Sequence, residues 1–373
     1  MPFSDFAGNP ETIHRLREML ARDRFPHAVI LSGAHGSGKY TLALMLARTM
    51  NCLDQPLAGG TDGDSLPDFC GRCSNCTRIG QSQDLDSRLA EAVEALENLR
   101  DTDKKETRLF VQTHPDVLII PPDPPQLMIK VDQVRHVIDT IYYRPGEARE
   151  RVYIFTSSAF MKEAANSLLK VLEEPPEFAT IFLLTENTGE LLPTIRSRSM
   201  TFNLSALAAT EIESRLAKLR SDWNPRQRAL VARLSEGAIG RALSFNLESY
   251  IAARSHAVIM LKSALGGKDN DHTELFKVTE SYRSGAEGRA KIDNLLRTFY
   301  SLLEDLMFLQ SGAERLVRNT DILGELKRMS ESADFAWVQR AAEGLGEVER
   351  GLRRNLLRSL SLDAFATALE RAS

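Results

Sequence analysis

The chain has 373 residues, 43% hydrophobic and 26% charged, with 47 basic against 51 acidic side chains and a formal net charge of −4. That length supports two or three domains with sizeable cores, in the ordinary composition of a soluble globular protein, and it excludes a polybasic nucleic-acid binder, whose DNA contacts here would be local or made through partners. No apolar run nears the roughly 18 residues that cross a bilayer, and the N-terminus, with Asp5 and Glu11, lacks a signal pattern, so a cytoplasmic location is expected.

In chain order, the first expected strand is Ala28-Val29-Ile30-Leu31. It leads into Gly33-Ala34-His35-Gly36-Ser37-Gly38-Lys39-Tyr40 and then a helix-like stretch from Thr41 to Met50. Strand, glycine-rich turn and helix in that order form the setting of a phosphate-cradling P-loop. Glycines let backbone N–H groups face phosphate oxygens, the helix N-terminus adds partial positive charge, and Lys39 reaches the outer phosphates. Gly33, Gly36, Ser37, Gly38, Lys39, Tyr40 and Thr41 are therefore the candidate nucleotide-binding residues. One position breaks the rule. A working P-loop carries Ser or Thr directly after the lysine, where the short hydroxyl ligates Mg²⁺. Tyr40 stands there instead, its oxygen at the far end of a rigid ring, and Thr41 is turned about 100° further round the helix. Binding of ATP or ADP stays open, whereas magnesium placement is expected to fail.

The cysteines come next. Cys70, Cys73 and Cys76 are spaced C-x2-C-x2-C, Cys52 lies upstream, and the chain has no others. In a reducing cytosol this cluster reads as a metal site. Four thiolates suit structural Zn²⁺ in a closed tetrahedral shell, with iron–sulfur ligation as the alternative. Leu85, Leu89, Val93, Leu96 and Leu99 then recur at helical spacing, which predicts an amphipathic helix inserted within residues 81–113 and packed locally.

Val117–Ile120, Val152–Phe155 and Thr180–Leu184 are further apolar runs. Their alternation with helical patterns predicts a mostly parallel sheet in an α/β layer over residues 1–204. After one such strand a hydrolysing ATPase carries an Asp for the Mg²⁺ shell and a Glu to orient water. Here Thr156-Ser157-Ser158 follows Phe155, with no carboxylate before Glu163, and the other two strands are followed only by single acids, Asp123 and Glu186.

From about residue 205 the strand signals stop. Thr210 with Glu213 fits a capping box, and helical patterns run almost to Ser373, with breaks near Asn224-Pro225, Gly266-Gly267 and Ser311-Gly312. We expect a small helical domain over 205–250 and a second over 251–373. Arg353, Arg354 and Arg358 read as a solvated helix surface.

The segment Asn166-Ser167-Leu168-Leu169-Lys170-Val171-Leu172-Glu173-Glu174-Pro175-Pro176, followed by Thr194-Ile195-Arg196-Ser197-Arg198-Ser199, resembles the clamp-loader branch of the AAA+ superfamily. The resemblance extends through His27-Ala28, the P-loop, the cysteine cluster, His114-Pro115-Asp116 and Ile129–Arg135. Within that branch the chain is similar to the delta-prime family of bacterial DNA polymerase III subunits rather than to the tau/gamma motor. The motor carries Asp-Glu in place of Thr156-Ser157 and Thr in place of Tyr40. Gly237–Leu243 resembles the sensor-2 segment, with the sensor arginine falling on Gly240.

The resemblance implies an AAA+ P-loop domain with a zinc module over about 52–80, a helical lid and a helical collar. It implies tau/gamma and delta subunits as partners, the sliding clamp and primed DNA reached through the complex, no membrane, and no intrinsic ATP hydrolysis. In that family a Ser-Arg-Cys motif lends its arginine to ATP held by the neighbouring subunit. Ser197-Arg198-Ser199 gives Arg198 this role in trans, with the third residue departing from the pattern. An active tau/gamma-like ATPase and a stand-alone zinc-bearing P-loop protein are the competing readings.

Overall fold

Apolar runs long enough to be buried on both faces become the centre of a sheet. The strands are β1 (Ala28–Ser32), β2 (Leu57–Gly59), β3 (Ser65–Pro67), β4 (Val111–His114), β5 (Val117–Ile120), β6 (Arg151–Phe155), β7 (Ala179–Thr185) and β8 (Met200–Asn203). In the computed structural model, which describes residues 2–59, 65–99, 107–265, 273–283, 286–353 and 358–370, six of them form one sheet in the order β4-β5-β6-β7-β1-β8. β4 is antiparallel to β5 and every other neighbouring pair is parallel. β2 and β3 form a separate antiparallel pair beside the cysteines.

The four expected strands are those in the middle of the order, and β4 and β8 were not anticipated. β4 buries only its end residues fully, Val111 and His114, and β8 buries only Phe202. Short, half-exposed edge strands carry no apolar run to read.

The two-residue period of a strand divides the core in two. Val29, Leu31, Val152, Ile154, Phe182 and Leu184 face the helices Pro10–Ala21 and Lys39–Met50. Ala28, Ile30, Tyr153, Phe155, Ile181 and Leu183 face the helices Val131–Ile141 and Lys162–Glu173. Each such aliphatic or aromatic side chain contributes roughly 1.5–3 kcal/mol of burial. Together they make a rigid platform from whose strand ends the site loops project.

The chain divides into two units, residues 1–207 with 237–241, and residues 208–236 with 242–373. The second contains no strand among the described residues. Its core gathers Leu261, Leu295, Phe299, Leu302, Leu306, Trp337 and Leu345 from its longer helices. A buried polar network also ties it together. The Asp305 carboxylate accepts from the backbone N–H groups of Arg318 and Asn319 at 2.7 and 2.9 Å, and Arg254 pairs with Asp321 at 2.6 Å.

Two local readings need adjustment. The helix Ala209–Leu219 begins one residue before Thr210, with Ala208 at its N-cap and no side-chain cap, so the Thr210–Glu213 box does not form. The reciprocal box forms instead at Asn224 and Gln227, with Pro225 at the first helical position. Gly266, Gly267, Arg354 and residues 100–106 of the 81–113 insertion lie outside the described residues, as do the side chains of Arg353 and Arg358. The inserted helix itself spans Leu85–Glu97 and is capped by Asp84. Leu85 and Leu89 pack partly on the core.

Candidate functional site

β1 delivers the glycine-rich loop at its C-terminal end. Gly36 (φ +78°) and Gly38 (φ +92°) adopt left-handed backbone that other residues reach only with strain, and Gly38 caps the helix Lys39–Met50, its carbonyl accepting from the Leu42 N–H at 2.9 Å. Lys39 Nζ donates to the loop's own carbonyls, Gly33 O at 2.6 Å and Ala34 O at 2.8 Å. Burial lowers the Lys39 ammonium from its ordinary pKa, with the Glu186 charge acting the other way. The Ser37 hydroxyl is buried without a hydrogen-bond partner, an orphan that a phosphate oxygen would satisfy. Glycines, Ser37 and Lys39 thus fit a phosphate.

The segment resembling sensor 2 rests on this loop. Gly240 N donates to Gly36 O at 2.8 Å, and a Cβ at position 240 would meet Gly36 O at 2.8 Å and Gly36 Cα at 3.0 Å. Backbone approaches backbone here because neither residue has a side chain. An arginine at 240 has no room while the contact holds.

Tyr40 does not serve the loop. Its hydroxyl donates to Ser82 O at 2.5 Å, its ring packs against the sheet's first core, and burial raises the phenol well above its usual range. Ser82 in turn pairs its hydroxyl with Thr113 at 2.7 Å. The residue directly after the loop lysine is thus a brace between the P-loop helix and the segment following the cysteines. Thr41 is half-buried on the next position of the helix.

No carboxylate follows β6 before Glu163. Ser157 Oγ accepts from Ala159 N at 3.1 Å, and Ser158 Oγ donates to the Glu190 carboxylate. Asp123 is buried and accepts from Leu109 N at 3.0 Å, with Lys130 as its ion-pair partner at 2.6 Å, so it holds a turn together. Glu186 is exposed, 3.6 Å from His35.

The four cysteines converge. Their Sγ atoms all lie within 4.8 Å of one another, although Cys52 comes from the end of the P-loop helix and the rest from the turn opening the helix Ser74–Gly80. Backbone N–H groups point at the sulfurs: Cys70 N to Cys52 Sγ at 3.2 Å, Cys73 N to Cys70 Sγ at 3.3 Å and Cys76 N to Cys73 Sγ at 3.4 Å. Burial raises the thiols of Cys52 and Cys76; at Cys70 it is outweighed by hydrogen bonds from Arg72 and Cys73, which bring the thiol down to about 6. Two buried and two half-buried thiols, with donors aimed at three of the sulfurs, fit a tetrahedral cation that neutralises them.

Arg198 follows the short helix Pro193–Arg196 and lines a groove of about 690 Å³ with His27, Glu173, Pro175, Ser197 and Met200. Its Nη2 lies 2.7 Å from Glu173 Oε1, and its Nη1 donates to Thr194 O at 3.1 Å. Arg196, the other arginine of the motif, is exposed. Glu173 is the residue that sequence reasoning passed over: it looks like a solvated helix end, and only the fold brings it to Arg198.

The family profile described as DNA polymerase III, delta subunit, matches residues 8–208. The chain is similar to the DNA polymerase III subunit delta' of Bacillus subtilis, 25% identical over 320 residues, across 86% of this chain and 83% of that protein. It is also similar to the DNA polymerase III subunit tau of Escherichia coli, 27% identical over 290 residues, across 76% of this chain and 39% of that protein. The chain spans only 29–39% of the length of the tau subunits of Escherichia coli and Salmonella typhimurium and the tau/gamma subunit of Haemophilus influenzae. Among solved structures, a DNA polymerase III gamma-subunit-related protein of Thermotoga maritima is similar at 18% identity, covering 98% of this chain and 99% of that one, with a TM-score of 0.42.

Proposed function

The chain belongs to the DNA polymerase III delta-subunit family, and from that premise we propose that it is the delta-prime-like, ATPase-silent subunit of a sliding-clamp loader, lending Arg198 to ATP held by a neighbouring motor subunit. The observation that carries this reading is Tyr40, whose hydroxyl is committed to the Ser82 carbonyl at the position where a P-loop needs its magnesium ligand. The serines after β6 are the second defect on the same device. Phosphate binding by Gly36, Ser37, Gly38 and Lys39 is compatible with this reading; hydrolysis in cis is not.

Arginine suits the trans role because it is always charged and grips phosphate oxygens with a planar fork. Arginine fingers are worth about 10³–10⁵ in rate, enough to make a silent subunit essential to its neighbour's turnover. Zn²⁺ held by Cys52, Cys70, Cys73 and Cys76 would have a closed shell and a structural role. In this reading the helices of 205–250 act as a lid and those of 251–373 as a collar. The partners are tau/gamma and delta subunits, and through them the clamp and primed DNA. No helix of the described residues is long and apolar enough to cross a membrane, and we place the complex in the cytoplasm.

Reconstitution with motor subunits, clamp and primed DNA tests the proposal. Arg198→Ala should assemble normally and lose most of the DNA- and clamp-stimulated ATP hydrolysis at the site it serves. Unchanged turnover would overturn the arginine-donor role.

A further inference from the structure

We propose that Glu173 is the positioning residue for Arg198, holding the guanidinium plane so that its remaining donors face the groove. This rests on the trans-acting reading of Arg198 given above. Glu173 Oε1 forms an ion pair with Nη2 at 2.7 Å, while Thr194 O and Ser197 Oγ accept from Nη1 at 3.1 and 3.4 Å. A guanidinium offers five N–H donors in a fixed plane. The two N–H groups of Nη1 are used by Thr194 and Ser197, and Nε–H and Nη2–H remain for the two-point grip arginine makes on phosphate oxygens.

Both ends of the pair stand on rigid supports. Glu173 is the last residue of the helix Lys162–Glu173, which Pro175-Pro176 keeps from continuing and which is pinned to the sheet by the fully buried Ala164, Leu168 and Val171. Arg198 follows a short helix pinned by Ile195, also fully buried. The Arg198 side chain, which lines the groove, is still 35% exposed. A long, partly exposed arginine with no anchor samples many rotamers, and each productive encounter must select one. A carboxylate and a carbonyl that fix its plane beforehand remove that search, which is the preorganisation a functional group needs from its supporting residues.

The test is a double-mutant cycle in the assembled complex, reading clamp- and DNA-stimulated ATP hydrolysis. Glu173→Gln, which keeps the side chain's shape, and Glu173→Ala should each lower kcat about three- to fivefold, as expected for a partly exposed charge pair, with KM for ATP unchanged. In an Arg198→Ala background neither should cause any further loss, because the carboxylate acts only through the guanidinium. Wild-type kcat in both Glu173 variants, alongside an impaired Arg198→Ala, would overturn the positioning role while leaving the arginine donor standing. Equal losses in both backgrounds would also overturn it, assigning Glu173 a structural effect at its helix end. Full activity of Arg198→Ala would remove the reading beneath.

Discussion

Gly240 offers a sharp test of how the loop and the segment above it are joined. In Gly240→Ala the new Cβ would sit 2.8 Å from Gly36 O and 3.0 Å from Gly36 Cα. Both are backbone atoms, so no rotamer change relieves the contact and one segment must withdraw. Forced overpacking costs about 1–3 kcal/mol. Withdrawal also stretches the 2.8 Å Gly240 N to Gly36 O hydrogen bond, worth roughly 0.5–1.5 kcal/mol. Alanine recovers about 0.4–1 kcal/mol by restricting the unfolded chain. The net destabilisation is then on the order of 2 kcal/mol, or a fall of about 4–8 °C in the melting temperature of a unit this size. Thermal unfolding followed by circular dichroism measures it. Gly324→Ala is the internal control, since a Cβ there meets nothing within 4 Å and the helical position favours alanine. If Gly240→Ala melts at or above the wild-type temperature, the close backbone approach is wrong.

Two further outcomes follow from the cysteine cluster and from Asp116. The purified chain should carry about one equivalent of zinc by metal analysis, and its removal by chelation should lower the melting temperature by several degrees and open residues 52–80 to protease; a metal-free chain that melts identically with and without chelator would refute the site. Asp116 is buried and would be raised by that burial, but hydrogen bonds from the backbone of Glu147, Gly146 and Ala148, with Arg151 nearby, prevail and hold its carboxyl below the usual range. A depressed carboxyl stabilises the fold above its unfolded pKa of about 3.9 and loses that contribution as pH falls through the folded value. The stability gap between wild type and Asp116→Asn, measured by urea unfolding, should therefore hold from about pH 5 to 8 and narrow below about pH 4; a gap that widens on acidification would refute the assignment.

What could be read from the sequence tracks the range over which each signal acts. β1, β5, β6 and β7 were legible because full burial demands unbroken apolar runs. That Cys52, Cys70, Cys73 and Cys76 come together was legible because their spacing is the kind a four-thiolate site requires. The Val111–His114 and Met200–Asn203 edges were not, since Gln112, Thr113 and Thr201 are as much at home in a loop. Contacts at long separation left no trace either. Nothing in the chain marks Glu173 as the partner of Arg198, Ser82 as the acceptor of Tyr40, or Gly36 as the surface on which Gly240 lies. Glycine there acts through a missing side chain, and a missing group has no pattern of its own. The Tyr40 and Thr156-Ser157 departures from the family pattern were visible, because a motif fixed residue by residue shows each substitution singly.

The most direct measurement is ATP hydrolysis by the purified, partner-free chain in the presence of Mg²⁺, with Tyr40→Thr alongside. Neither protein should turn over ATP above background, because restoring one hydroxyl leaves Thr156-Ser157 where an acid pair is needed. Robust cleavage by the wild-type chain alone would contradict the silent-subunit reading outright.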